Sequence, residues 1–233
     1  MFAYRARGLP FVAGFWAFNL EIQDKYNIAM IFVGGYTYYK IFVECPFLFV
    51  FSACVLIHHY GLLLLQSNNA FKSVDFSTTP SNCIQIINTY SRIEEKLRLL
   101  TETLSESLFI LLFIGFVNLY SALVFYLEEE IPTFYLPDIC ICASTGVLVV
   151  CSLTIYTSKI PQYMLEIKNN VRLLINKYEV NNLKCEKEFR LLRRMEKNDI
   201  IYLSACGMVS FQKSLLLSAF GTFFTYALLI EKS

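Results

Sequence analysis

Four stretches of this 233-residue chain contain no Lys, Arg, Asp or Glu: Cys45 to Phe71, Ser107 to Leu127, Ile139 to Ser158 and Ser214 to Ile230. A helix crossing a bilayer needs about 20 apolar residues, each adding about 1.5 Å towards a hydrocarbon core of about 30 Å. In lipid every backbone N–H and C=O must find its partner inside the protein, which favours a helix for a run of this length. The four runs therefore predict four membrane spans and an all-α polytopic membrane protein. The chain is 56% hydrophobic and 17% charged, more apolar than a single soluble core requires. Two shorter apolar pieces, Gly8 to Leu20 and Tyr26 to Tyr39, are about 13 and 14 residues long, short for independent spans. The first reads as interfacial or re-entrant; the second is either the same or an outward extension of the Cys45 helix, with Pro46 as a kink. Arg5 and Arg7 precede an apolar piece with no small-residue cleavage pattern, so no signal peptide is expected. These features divide the chain at 1–35, 36–71, 72–138, 139–203 and 204–233.

The net charge of +1 says little, but the placement of the charges says more. Lys159 to Asp199 holds ten basic residues and Gln66 to Glu106 holds four, whereas Glu128 to Asp138 holds Glu128, Glu129, Glu130 and Asp138 with no basic residue. Short basic loops stay on the cytoplasmic side, so the acidic loop is expected outside and, after four alternating spans, Ser233 outside as well. The eight cysteines fall mostly in spans or cytoplasmic segments, so no disulfide scaffold is indicated. His58 and His59 have no zinc-type spacing to any cysteine, and no metal or cofactor site is expected. No nucleotide-binding loop, catalytic triad or metalloprotease motif is present, so the sequence offers nothing to an enzyme reading and no basis for nucleic-acid binding.

The basic segments are patterned as helices. From Cys83 onward, Ile84, Ile87, Tyr90, Leu97, Leu100 and Leu104 recur at helical spacing with Arg92, Glu95 and Lys96 between them, and this helix is expected to run into the Ser107 span. After the Ile139 span a second amphipathic segment puts Leu165, Val171, Leu174 and Ile175 on one side until Asn181 and Asn182 break it. A third leads from Lys184 to Gly207. Three such helices are expected to pack on one another below the bilayer, with membrane lipid as a partner for their basic residues.

The last thirty residues add an Ala205-Cys206-Gly207 break, Lys213 and a run of 17 uncharged residues, expected to be helical from Gly207 to the end. Ser214, Ser218, Thr222, Thr225, Leu229 and Lys232 then form one stripe that collects most of the hydroxyls of the span. Such groups in hydrocarbon face water or another helix, so the stripe reads either as a pore lining or as close helix packing through small-xxx-small patterns.

The order of these features resembles the final helix of arthropod gustatory receptors, whose signature is TY, five mostly apolar residues, then QF. Thr225 and Tyr226 match its start; Lys232 and Ser233 stand where QF belongs. The resemblance extends from about Tyr36 to Ser233. It implies an inverted-topology, plasma-membrane chemoreceptor with its C-terminus extracellular, acting as a subunit of a homo- or heterotetrameric, tastant-gated, non-selective cation channel. It further implies that Ala205-Cys206-Gly207 is the hinge between an anchor part and a pore part of the last helix. The family has seven spans, of which the last four are recognisable here, so the chain reads as truncated at its N-terminal side. Family ligand pockets lie in the outer half of the bundle, for which Phe116, Tyr120 and Tyr126 are the candidates in this sequence. A ring of Lys232 at the mouth would oppose cations. Glu231 points about 100° away and does not replace the family glutamine. Impaired conduction is therefore expected, and the alternative function is a non-conducting subunit that assembles with, and modulates or blocks, full-length receptors.

Overall fold

The computed structural model describes residues 24–73, 80–127, 136–180 and 186–231. The Gly8 to Leu20 piece, most of the acidic loop, Asn181, Asn182, Lys232 and Ser233 lie outside them, as do the side chains of Tyr226 and Leu229.

By its contacts the chain divides after Leu48 into two compact units. The first contains α1 (Asp24–Tyr39) and a π-helical turn at Lys40–Glu44. Helix α2 (Cys45–Ser73) follows without a break, so that the chain is helical from Asp24 to Ser73. The second apolar piece thus extends the Cys45 helix. In place of a kink centred on Pro46, a widened turn precedes it, closed by the Cys45 N–H donating to the Lys40 carbonyl. Proline has no N–H to give to the ladder, so a register change just before it loses little. Lys40 and Glu44, one helical turn apart, form an ion pair at 2.5 Å.

The second unit is built from long helices. Helix α3 (Pro80–Leu127) spans 48 residues, joining the amphipathic segment to the Ser107 run as its periodicity implied. Helices α4 (Leu136–Thr157) and α5 (Lys159–Val180) are parted by Ser158 alone. Helix α6 (Glu186–Lys197) is short, and α7 (Lys213–Glu231) has 19 residues, about 28 Å at helical rise and close to one hydrocarbon thickness. The stretches Phe32–Ser73, Cys83–Tyr126 and Leu136–Lys177 are each long and apolar enough to cross a membrane. The chain is a nearly all-helical, multi-pass membrane protein.

In the apolar layer α3 packs along α4 at a glycine crossing. A Cβ on Gly146 would stand 2.7 Å from the Gly115 carbonyl oxygen and 2.7 Å from Leu119 Cγ. Only glycine permits that approach, and small residues at such crossings are how helices associate where lipid supplies no hydrophobic drive. In the charged layer Ile87, Tyr90 and Leu97 of α3 are buried, as their spacing implied. The buried stripe of α5 runs through Ile160, Met164, Ile167, Val171 and Ile175, leaving Leu165, expected on the apolar side, 49% exposed. The 100° step per residue puts Leu165 beside Met164 rather than on its line.

Polar contacts tie this layer together. Asn170 Nδ2 of α5 donates to Asn68 Oδ1 of α2 at 2.6 Å, Lys72 pairs with Glu166 at 3.0 Å, and Arg193 of α6 pairs with Glu179 at 2.8 Å. Glu94, 5% exposed, accepts from Arg98 at 2.9 Å, and the Asn198 Nδ2 donates to both of its carboxylate oxygens, at 3.2 and 3.0 Å. Buried charge is costly unless it is paired and hydrogen-bonded, and here it is both.

Candidate functional site: the final helix and the hairpin that carries it

The third amphipathic stretch was expected to lead helically to Gly207, and the last helix to start there. The structure corrects both. Helix α6 ends at Lys197, residues 198–203 are irregular, and β1 (Ser204–Ala205) pairs antiparallel with β2 (Val209–Ser210) before α7 begins at Lys213. Asn198 ends the helix because its side chain is committed to Glu94, and Ile200, Ile201 and Tyr202 favour extended backbone. Cys206 and Gly207 then take φ of 51° and 68°, the left-handed conformation that a tight turn needs and that no helix tolerates.

The three residues assigned to a hinge therefore form a closed hairpin turn. Ala205 is fully buried, and Leu203 and Phe211, on either side, are each 1% exposed. The turn is fastened to α3 at one residue: Ser105 Oγ donates to the Ser204 carbonyl at 3.1 Å, and the Cys206 N–H donates to the Ser105 carbonyl at 3.3 Å. Ser105 lies where α3 passes from charged to uncharged sequence. Sequence reasoning missed Ser105, Asn198 and Glu94. Only Glu94 left a signal, being a charge placed on the apolar stripe between Tyr90 and Leu97.

From this mount α7 packs against α4 and α3 through Leu215, Leu216 and Phe223. At 100° per residue those three fall within an arc of about 100°. Outside that arc, with its centre about 110° round the helix, Ser214, Ser218, Thr222 and Thr225 are all exposed and share an arc of about 80°. Leu217, Phe224 and Leu228, 79%, 65% and 59% exposed, flank them along one edge. The hydroxyls donate back into their own helix: Ser218 to the Leu215 carbonyl at 3.0 Å, Thr222 to Ser218 at 2.8 Å and Thr225 to Gly221 at 2.8 Å. With their hydrogens so used, these hydroxyls present lone pairs outward, a face of acceptors suited to a cation or to water. By sequence position Leu229 and Lys232 continue the line.

The three candidate pocket residues on α3 are not gathered. Phe116 is half-buried against the core, while Tyr120 and Tyr126 are 59% and 73% exposed, with about 120° of helical arc between those two. A cleft of about 450 Å³ lies instead in the charged layer between α3 and α6, lined by Ile87, Ser91, Glu95 and Arg98 on one side and Leu191 and Arg194 on the other.

No protein-family model matches the sequence, and no curated protein matches it. The fold does have a solved counterpart. The insect olfactory receptor OR5 from Machilis hrabei, in complex with eugenol, superposes with a TM-score of 0.70 at 12% sequence identity, covering 99% of this chain and 67% of the receptor chain. The chain has the fold of an insect chemoreceptor.

Proposed function

We propose that the chain is a subunit of a chemosensory cation channel, of the gustatory type, in the plasma membrane with its C-terminus outside. The observation that carries this reading is the exposed hydroxyl arc of α7, which lies outside the arc that packs on α3 and α4. A helix with a polar face left uncovered by its own bundle needs water or a second copy there. Four copies around an axis supply both: Ser214, Ser218, Thr222 and Thr225 line the water path with Leu229 and Lys232, and Leu217, Phe224 and Leu228 meet the neighbour. The olfactory-receptor fold and the Thr225-Tyr226 signature support the same assignment.

A small-molecule tastant opens the pore by binding better to the state in which the final helices spread. Phe116, Tyr120 and Tyr126 are the candidates for contact with it, and the 205–207 hairpin transmits movement of α3 to α7. A second reading is favoured by one feature, Lys232 and Ser233 in place of the family gate pair: a non-conducting subunit that joins other gustatory receptors and damps them. Whole-cell recording from cells expressing the chain alone, and together with a full-length gustatory receptor, tests both. Current from the chain alone supports the first reading. Reduced current on co-expression with no current alone supports the second, and no effect in either setting contradicts both.

A further inference from the structure

Three contacts set the register between α2 and the α4–α5 pair. The His58 and Tyr156 rings meet edge-on with centroids 6.1 Å apart, a Cβ on Gly61 would stand 3.6 Å from the Tyr163 ring, and Asn68 bonds Asn170 at 2.6 Å. The partners rise together, from 58 to 68 and from 156 to 170, so the two helices run parallel. The uncharged run of α4 ends at Ser158, and Lys159 is the first charge beyond it. On α2 the same level is His58 to Tyr60, not Phe71 where its own uncharged run ends. The residues of α2 beyond that level behave accordingly: Ser67 and Asn68 are buried polar groups, and Lys72 pairs with Glu166.

This level gathers a small cationic and aromatic cluster. Lys159 Nζ sits 5.3 Å from the Tyr156 ring centroid, and the same ring meets His58 edge-on. His58 and His59 are exposed, and Tyr156 and Lys159 are half-buried. Among the described residues no carboxylate lies within ion-pair distance of Lys159, whereas Lys72, Arg98, Arg172 and Arg193 each have one. A basic side chain without a counter-charge, held over a tyrosine beside imidazole N–H donors at the edge of an apolar span, suits the anionic layer of a leaflet.

We propose that His58, Tyr156 and Lys159 form a site for the phosphate of an anionic phospholipid headgroup, at the boundary between the apolar spans and the basic layer. The site depends on helix register alone, so it stands or falls separately from channel activity. The purified full chain in neutral detergent is titrated with phosphatidylserine, with phosphatidylcholine of the same chain length and with inorganic phosphate, and bound molecules are counted by native mass spectrometry. Phosphatidylserine is expected to bind in preference to phosphatidylcholine, with affinity falling about fivefold in Lys159→Gln, as for loss of one basic residue at a charged leaflet. Lys159→Arg restores it, and Lys197→Gln, an exposed charge at the end of α6, leaves it unchanged. His58→Gln weakens the same adduct and serves where Lys159→Gln does not purify as a folded protein. Equal binding of the two lipids, wild-type affinity in both Lys159→Gln and His58→Gln, or inorganic phosphate binding as tightly as phosphatidylserine would each overturn the proposal.

Discussion

Replacing Gly146 by valine tests the packing that holds α3 against α4. The Cβ alone would stand 2.7 Å from the Gly115 oxygen and from Leu119 Cγ, and a Cβ on Gly115 would itself stand 3.1 Å from Val149 Cγ1. Ordinary contacts between such atoms are about 3.5 Å, so the helices must part by roughly 0.5–1 Å, and a gap of that size forfeits a quarter to a half of each lost dispersion contact. Overpacking of this kind costs about 1–3 kcal/mol, and three added carbons against backbone put Gly146→Val near the upper end. For a chain of this size about 3 kcal/mol lowers the melting temperature by roughly 6–12 °C, at about 2–4 °C per kcal/mol. Gly35→Val is the control, because nothing lies within 4 Å of a Cβ there. Thermal melting of the detergent-solubilised protein, followed by fluorescence-detected gel filtration, reads the difference. If Gly146→Val melts with Gly35→Val, the crossing is not close and the fold argument fails.

Three further outcomes follow from other parts of the structure. Asn198→Ala removes two bonds to the Glu94 carboxylate, 3.0 and 3.2 Å long, and is expected to destabilise by about 1–3 kcal/mol in the same melting assay. Ser105→Ala removes the bond to the Ser204 carbonyl that fastens the hairpin; it is expected to cost about 1 kcal/mol and, as the mount of α7 loosens, to raise proteolytic cleavage after the hairpin more than elsewhere. Lys232→Gln removes the like charges proposed at the pore mouth, so cation current through assembled channels is expected to rise; an unchanged current–voltage relation would show that Lys232 does not face the ion path.

The long elements could be read from residue types because their causes are local. Uncharged runs of bilayer length give spans, and the spacing of Ile87, Tyr90 and Leu97 gives the buried side of α3 before any partner is known. The α4–α5 continuity and the α2 extension follow from helical runs with no effective breaker between them. What escaped is non-local. The 204–210 hairpin pairs two residues on each side and depends on Ser105, about a hundred positions earlier, so nothing nearby announces it apart from the Cys206-Gly207 turn. Continuous helix was the natural expectation past Gly207, and it was wrong because burial of Leu203, Ala205 and Phe211 favours an extended, docked segment over another helical turn. The hydroxyl stripe was visible as periodicity, but its relation to the packed side of α7 required the neighbouring helices. The scatter of Phe116, Tyr120 and Tyr126 reflects a limit of reasoning from aromatic content, which names residues without naming a face.

The most direct test of the account is the accessibility of α7 to water. In a variant whose eight native cysteines are replaced, single cysteines are placed at Ser218, Thr222, Leu217 and Phe224, and the assembled protein in membranes is treated with a charged, membrane-impermeant thiol reagent. The account predicts rapid labelling of Ser218→Cys and Thr222→Cys, with Leu217→Cys and Phe224→Cys protected by the neighbouring subunit. Uniform protection of all four, or labelling of Leu217→Cys and Phe224→Cys in preference to the hydroxyl positions, would contradict a water path lined by this helix.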